Sequence, residues 1–191
     1  MSTSPTSTDA VHDDEYYFQD DLTVFMARYM LFKVHRHFLI RDSEFFRGLF
    51  ACPLPPGEEA EGQSDAKPIV LYGVTVHEFR CLLRFYYDRT YRPAIDSLDD
   101  WIALLSIATR YVFDNIRDLA LEEIAQRLHD PLQKILLASK YNVPHWLPLA
   151  YADLVKRPEP LSDNEAEILG LRTAVRVARA REATRERKYV T

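Results

Sequence analysis

Glycine is scarce in this chain, with five in 191 residues, and cysteine is scarcer still, with two. So few glycines leave little room for a backbone cradle around phosphate, and no Gly-rich phosphate motif occurs. Two thiols, Cys52 and Cys81, cannot build a disulfide framework, and they fit a reducing, intracellular setting. The patterns H-E-x-x-H, G-x-S-x-G, C-x-x-C and H-x-x-x-H are all missing. No apolar run is long enough to cross a bilayer. The stretch from Met1 to Asp9 is Ser/Thr-rich and lacks the apolar core of a signal peptide. These absences predict a soluble protein of the nucleus or cytoplasm, with no cofactor, no membrane partner and no catalytic role.

What is present describes a globular chain. Hydrophobic residues make up 47% and charged residues 28%, enough to bury a sizeable core. Eleven Tyr and ten Phe favour cores and interfaces, where rings bury large areas. The net charge of −5 is unevenly placed. Between Arg172 and Lys188, seven basic residues face two acidic ones, Glu182 and Glu186, so the rest of the chain is strongly acidic. A mostly acidic body argues against direct nucleic-acid binding, and no zinc-finger or basic-zipper pattern is present.

The elements follow from periodicity and punctuation. Residues 1–12 are too polar and Ser/Thr-rich to order themselves. Leu22 to Ala27 and Leu31 to Val34 are rich in strand formers and predict a hairpin, with Arg28, Tyr29 and Met30 between them. A pair of helices follows, the second capped by Ser43. Residues 51–68 hold four prolines, two glycines and four acids, which predicts an exposed loop. Ile69 to Leu71 is a short strand. Helix starts are then marked at Thr75, Ser97, Asp130-Pro131, Pro144 and Ser162. The last helix is expected to run unbroken from Ser162 toward Arg185, with Ile168, Leu171, Val175 and Ala178 as its apolar stripe. No internal repeat is visible. Strands early and helices throughout the remainder predict an α+β fold with an all-α extension.

The segment HRHFLIRDSEFFRGLF, His35 to Phe50, resembles the central signature of BTB/POZ domains, with His35, Leu39, Ser43, Phe46, Leu49 and Phe50 in place. The flanking hairpin, the Pro68 to Leu71 strand and the helix ending in Tyr86-Tyr87 are similar too. The opening Tyr16 to Asp20, the Pro/Gly/Glu-rich insertion, and the segments KYNVPHWLPLAY and LSDNEAEILGL resemble BTB proteins numerous in mushroom-forming fungi. The resemblance implies a small sheet surrounded by helices over residues 13–128, and a BACK-like helical extension over 129–188. It implies protein partners: a homodimer or heterodimer, a cullin ubiquitin-ligase scaffold, or both. In dimeric members the N-terminal region and first long helix form the two-fold interface. That points here to Tyr16, Tyr17, Phe18, Asp21, Leu22, Phe25, Arg36 and Phe50. Asp21 and Arg36 resemble the charged pair of dimeric BTB transcription factors, although in the fungal pattern Asp21 stands at a glycine position. The hydrophobic-x-Glu motif typical of cullin binders has no clean equivalent after Phe50, and no Kelch or MATH module occurs in these residues. Two functions stay open, a cullin-ligase substrate adaptor and a dimerisation scaffold without ubiquitin chemistry.

Sharper chemistry is weighed against plainer roles. His35 and His37 with Cys52 and Cys81 offer zinc-type donors, but without ligand spacing, and the signature accounts for His35. A structural histidine there would satisfy a backbone group left open where strand turns into helix. Ser43, His35 and Asp21 name the parts of a hydrolytic triad, but Ser43 is more simply a cap.

Overall fold

A computed structural model describes residues 22–53, 57, 60–88 and 95–189. β1 (Leu22–Ala27) and β2 (Met30–His35) form an antiparallel hairpin around Arg28 and Tyr29. Met30 pairs with Ala27, so it belongs to the strand and not to the turn. β3 (Ile69–Val70) lies parallel to β1 on its other side, giving the order β2-β1-β3. Leu71 extends that pairing by donating to the Met26 carbonyl at 2.8 Å.

α1 (His37–Asp42) and α2 (Glu44–Ala51) follow the hairpin. α3 (Val76–Tyr87) opens on a capping box between Thr75 and Glu78, and α4 (Leu98–Arg110) opens on Ser97. Each cap satisfies N–H groups that a helix start leaves unpaired. Phe25 sits between Phe46 of α2 and Phe79 of α3, with ring centroids 5.9 and 5.8 Å away. Phe32 meets Phe79 edge-on at 4.9 Å. One face of the hairpin is thereby closed onto the helices, as offset and edge-to-face ring packing favours.

α5 (Asp114–Arg127), α6 (Pro131–Lys140), a 3₁₀ turn (Pro144–Trp146) and α7 (Leu147–Lys156) continue the chain. An internal repeat that side-chain identity conceals emerges here. Ala108, Tyr111, Val112, Phe113, Ile116 and Ala120 return thirty residues on as Ala138, Tyr141, Asn142, Val143, Trp146 and Ala150. The two turns share one backbone path. Phe113 and Val143 donate to the carbonyls of Ala108 and Ala138 at 2.9 and 2.8 Å, and Val112 and Asn142 have φ of 53° and 54°. Side-chain identity is preserved at only a few positions, while the alternation of buried and exposed positions is nearly the same in both copies.

Two expectations for the rest of the chain need correction. The final helix is broken. α8 (Asp163–Leu169) ends at Gly170, whose φ of 77° glycine adopts without a Cβ clash, and α9 (Leu171–Tyr189) restarts after it. The restart changes which face is buried. Ala174, Val177 and Arg181 face inward, while Ile168, Leu171, Val175 and Ala178 are exposed. Nor is the segment 51–68 wholly solvated. Gly62 is buried against β1, donates to the Lys67 carbonyl and accepts from Val24 N–H, both at 2.7 Å. A Cβ at Gly62 would lie 2.5 Å from Thr23 Cγ2, so only glycine fits without movement.

The fold is α+β: among the described residues a three-stranded mixed sheet has helices around it and a helical extension beyond. Among the described residues, no helix is long and apolar enough to cross a membrane.

Candidate functional site

The six signature residues form a joint between the hairpin and the helices. Leu39 and Phe46 are buried and Ser43 is fully enclosed. Ser43 stands in extended backbone between α1 and α2, so its hydroxyl reaches forward to the helix it starts. Its Oγ accepts from Phe46 N–H at 3.1 Å and donates to the Tyr111 carbonyl at 2.5 Å. That second bond ties the start of α2 to the end of α4 and satisfies a buried carbonyl. Phe45, Phe46 and Tyr111 complete the joint, with Tyr111 5.0 and 5.2 Å from the two rings. Leu49 is the signature apolar residue that faces outward. It is 37% exposed and contributes little to the core.

His35 departs from expectation in the group it meets. It is exposed, and its partner is a side chain from α3 instead of a backbone group. The Tyr87 hydroxyl accepts from His35 N–H at 2.8 Å and lies 2.9 Å from Nδ1. A phenol can accept the first bond and donate the second, which fits an imidazole protonated on Nε2. Ser43 and His35 thus have separate partners, and the imagined triad is not assembled from them. Its third member, Asp21, lies outside the described residues.

The candidate interface divides in three. Tyr16, Tyr17, Phe18 and Asp21 lie outside the described residues. Phe25 is fully buried among Phe46 and Phe79, so its ring belongs to the core and offers no surface. Leu22, Arg36 and Phe50 remain. The Arg36 guanidinium sits over the half-buried Phe50 ring, 5.6 Å from its centroid, a cation–π contact joining α1 to α2. Strand alternation puts Leu22, Val24 and Met26 of β1 on one face with Leu31 and Lys33 of β2, opposite the face that packs on α2 and α3, and Val24 at its centre is buried. Leu22 and Leu31 are 45% and 41% exposed there, and Met30 and Tyr29 add apolar surface at the hairpin tip.

The zinc donors weighed from sequence are not gathered as a set. Cys52 is exposed at the end of α2, whereas Cys81 is buried on α3. The structure brings Cys81 beside His77 and Asp100. The H-x-x-x-C spacing from His77 to Cys81 is a legible signal that a search for H-x-x-x-H and C-x-x-C passes over. Burial and the hydrogen bond to Asp100 push the Cys81 thiol up to about 12, so it is no activated nucleophile.

No curated protein matches this sequence. Among protein-family profiles, the BTB/POZ domain matches residues 17–128. That span is more than half of the chain and contains the whole joint from His35 to Phe50. The chain belongs to the BTB/POZ domain family, and it is a protein–protein interaction module.

Proposed function

We propose that this chain is a self-associating scaffold that pairs through the outward face of its hairpin and recruits other proteins. One observation carries the reading: Leu22 and Leu31 stand exposed on the hairpin face opposite the core. Exposed apolar side chains at the two ends of a sheet face favour association, because contact removes them from water. β2 also lies at the edge of the described sheet, where a strand presents unpaired backbone groups. The family resemblance implies the same region, and Tyr16, Tyr17 and Phe18 precede it in sequence. The lineage reading, a member of the fungal expansion, rests on the sequence segments alone.

The test is the mass of the chain in solution by sedimentation velocity. The wild type is expected to dimerise at micromolar concentration. Leu22→Asp with Leu31→Asp is expected to give folded monomer, as judged by unchanged helical circular dichroism. A strict monomer in the wild type overturns the proposal.

The second reading is a substrate adaptor for a cullin-type ubiquitin ligase. The helical extension from α6 to α9 favours it, since it enlarges the surface beside the BTB unit. The segment after Phe50 weighs against it. α2 ends at Ala51, and Cys52-Pro53 leads away without a hydrophobic-x-Glu motif. Cullin capture by the wild type that Phe50→Asp abolishes, in a variant shown to fold, is the result this reading requires.

A further inference from the structure

α3 places two donor atoms beside a third from the first turn of α4. His77 and Cys81 are four residues apart on α3, hence on one face and one turn apart. Asp100 lies in the first turn of α4, where Ser97 Oγ accepts its backbone N–H at 3.0 Å and fixes the start of the helix. The packing of α3 on α4 closes a triangle. Cys81 Sγ is 3.7 Å from His77 Nε2 and 3.4 Å from Asp100 Oδ1, and Nε2 is 3.3 Å from the same Oδ1.

Those edges can be compared with what an ion demands. Four-coordinate zinc holds sulfur at about 2.3 Å and nitrogen or oxygen at about 2.0–2.1 Å. Tetrahedral angles then set the sulfur–nitrogen and sulfur–oxygen edges at about 3.5 Å and the nitrogen–oxygen edge at about 3.3 Å. The observed triangle matches all three within a few tenths of an ångström. Two hydrogen bonds onto Oδ1 account for two of the edges. The third edge joins neighbours one turn apart on α3, with Sγ also 4.0 Å from His77 Nδ1, so the half-exposed imidazole has to turn to aim a ring nitrogen at an ion shared with the other two donors.

We propose that His77, Cys81 and Asp100 form a binding site for a zinc-class divalent cation, with water as the fourth ligand. The mixed sulfur, nitrogen and oxygen set suits zinc over magnesium or calcium, which take oxygen donors. On binding, the thiol S–H bond breaks, its proton passes to water and the sulfur bonds the metal, with no change in oxidation state. Thiolate and carboxylate together neutralise the ion's double charge. Arg84 Nη1 lies 3.8 Å from Asp100 Oδ1. With its side chain 47% exposed, it can swing into solvent as the ion arrives. The His77 side chain is 52% exposed, which gives the ion a path from water. The bound ion would clamp α3 to α4 beneath the hairpin.

The probe is cobalt(II) added to the full chain, followed by absorption. A sulfur-to-cobalt charge-transfer band with intense tetrahedral bands, saturating at one ion per chain and bleached by zinc, is expected. His77→Ala and Asp100→Asn should each weaken binding more than about tenfold, and neither side chain is fully buried. Cys81→Ser should remove the charge-transfer band, and Cys52→Ser should leave it intact. Absence of the band overturns the proposal. So does a band lost in Cys52→Ser and kept in His77→Ala, which would assign the metal to the exposed thiol.

Discussion

Val112 and Asn142 occupy the same point of the thirty-residue repeat with the same left-handed backbone, yet only one of them is suited to it. A β-branched side chain at positive φ crowds its own carbonyl, at about 1–2 kcal/mol, whereas asparagine tolerates the conformation. Val112 is 38% exposed, so its replacement forfeits little buried surface. Val112→Asn is therefore expected to stabilise the protein by about 1 kcal/mol, and Asn142→Val to destabilise it by a similar amount. Urea unfolding of both variants checks this, and the two shifts should have opposite sign. Ser43 shows how far a single residue can be read. Its place before an apolar run identifies the cap, but nothing local announces the Tyr111 carbonyl 68 positions away. Ser43→Ala orphans that buried acceptor and the Phe46 N–H, for an expected loss of about 1–3 kcal/mol in the same assay. His35 was legible as a fixed point and not as a partner, because Tyr87 is brought to it only by the docking of α3.

Element starts were legible because caps are local chemistry, and element ends were less so. Thr75, Ser97, Asp130 and Ser162 all accept from the first turns they precede. The break at Gly170 was missed because the sequence on both sides keeps helical spacing. Its consequence is the reassigned face of α9, where Arg181 turns inward. The Arg181 guanidinium donates to the carbonyls of Leu154, Arg157 and Pro158, at 3.1, 2.6 and 3.1 Å, and so closes the C-terminal end of α7. At the same junction Arg157 makes a two-pronged bond to Glu165, at 2.6 and 2.8 Å. That bond, with the Ser162 N–H, pulls the Glu165 carboxyl from its ordinary 4.5 down to about 2. A carboxyl lowered in the folded state adds stability above its unfolded pKa and loses it as pH falls through the folded one. The contribution of Glu165 is thus full above about pH 5 and vanishes toward about pH 2. Glu165→Gln should be less stable than wild type near neutrality, with the gap narrowing as pH drops through that window. Thermal melts across pH measure it, and a constant gap would sink the assignment.

At the scale of the molecule, the buried residues among those described fall into two clusters of unequal size. The larger runs from Phe25 through the helices to Val143 and Trp146, so it includes residues of α6 and the 3₁₀ turn. The smaller holds Ile135, Ala150, Leu154 and Val177, with half-buried neighbours. The second copy of the repeat leans on the first through its leading helix and turn, and α8 and α9 are held mainly by the smaller cluster. Local stability follows buried apolar contact, so regions with little of it open first. Unfolding is therefore expected in two steps: α8 and α9 open at low denaturant, and residues up to about Trp146 follow together. The two tryptophans give a clean discrimination. Trp101 and Trp146 both lie in the larger cluster, so their fluorescence reports only the second step. Helical circular dichroism registers both. The dichroism curve should begin to fall before the fluorescence moves, and amides of α9 should exchange faster than those of α4. Val177→Ala should shift the first step and leave the second in place. Phe79→Ala, in the larger cluster, should lower the second by about 3–5 kcal/mol. Coincident curves with uniform exchange would mean that the smaller cluster melts only with the larger, and that the extension is one cooperative unit with the BTB domain.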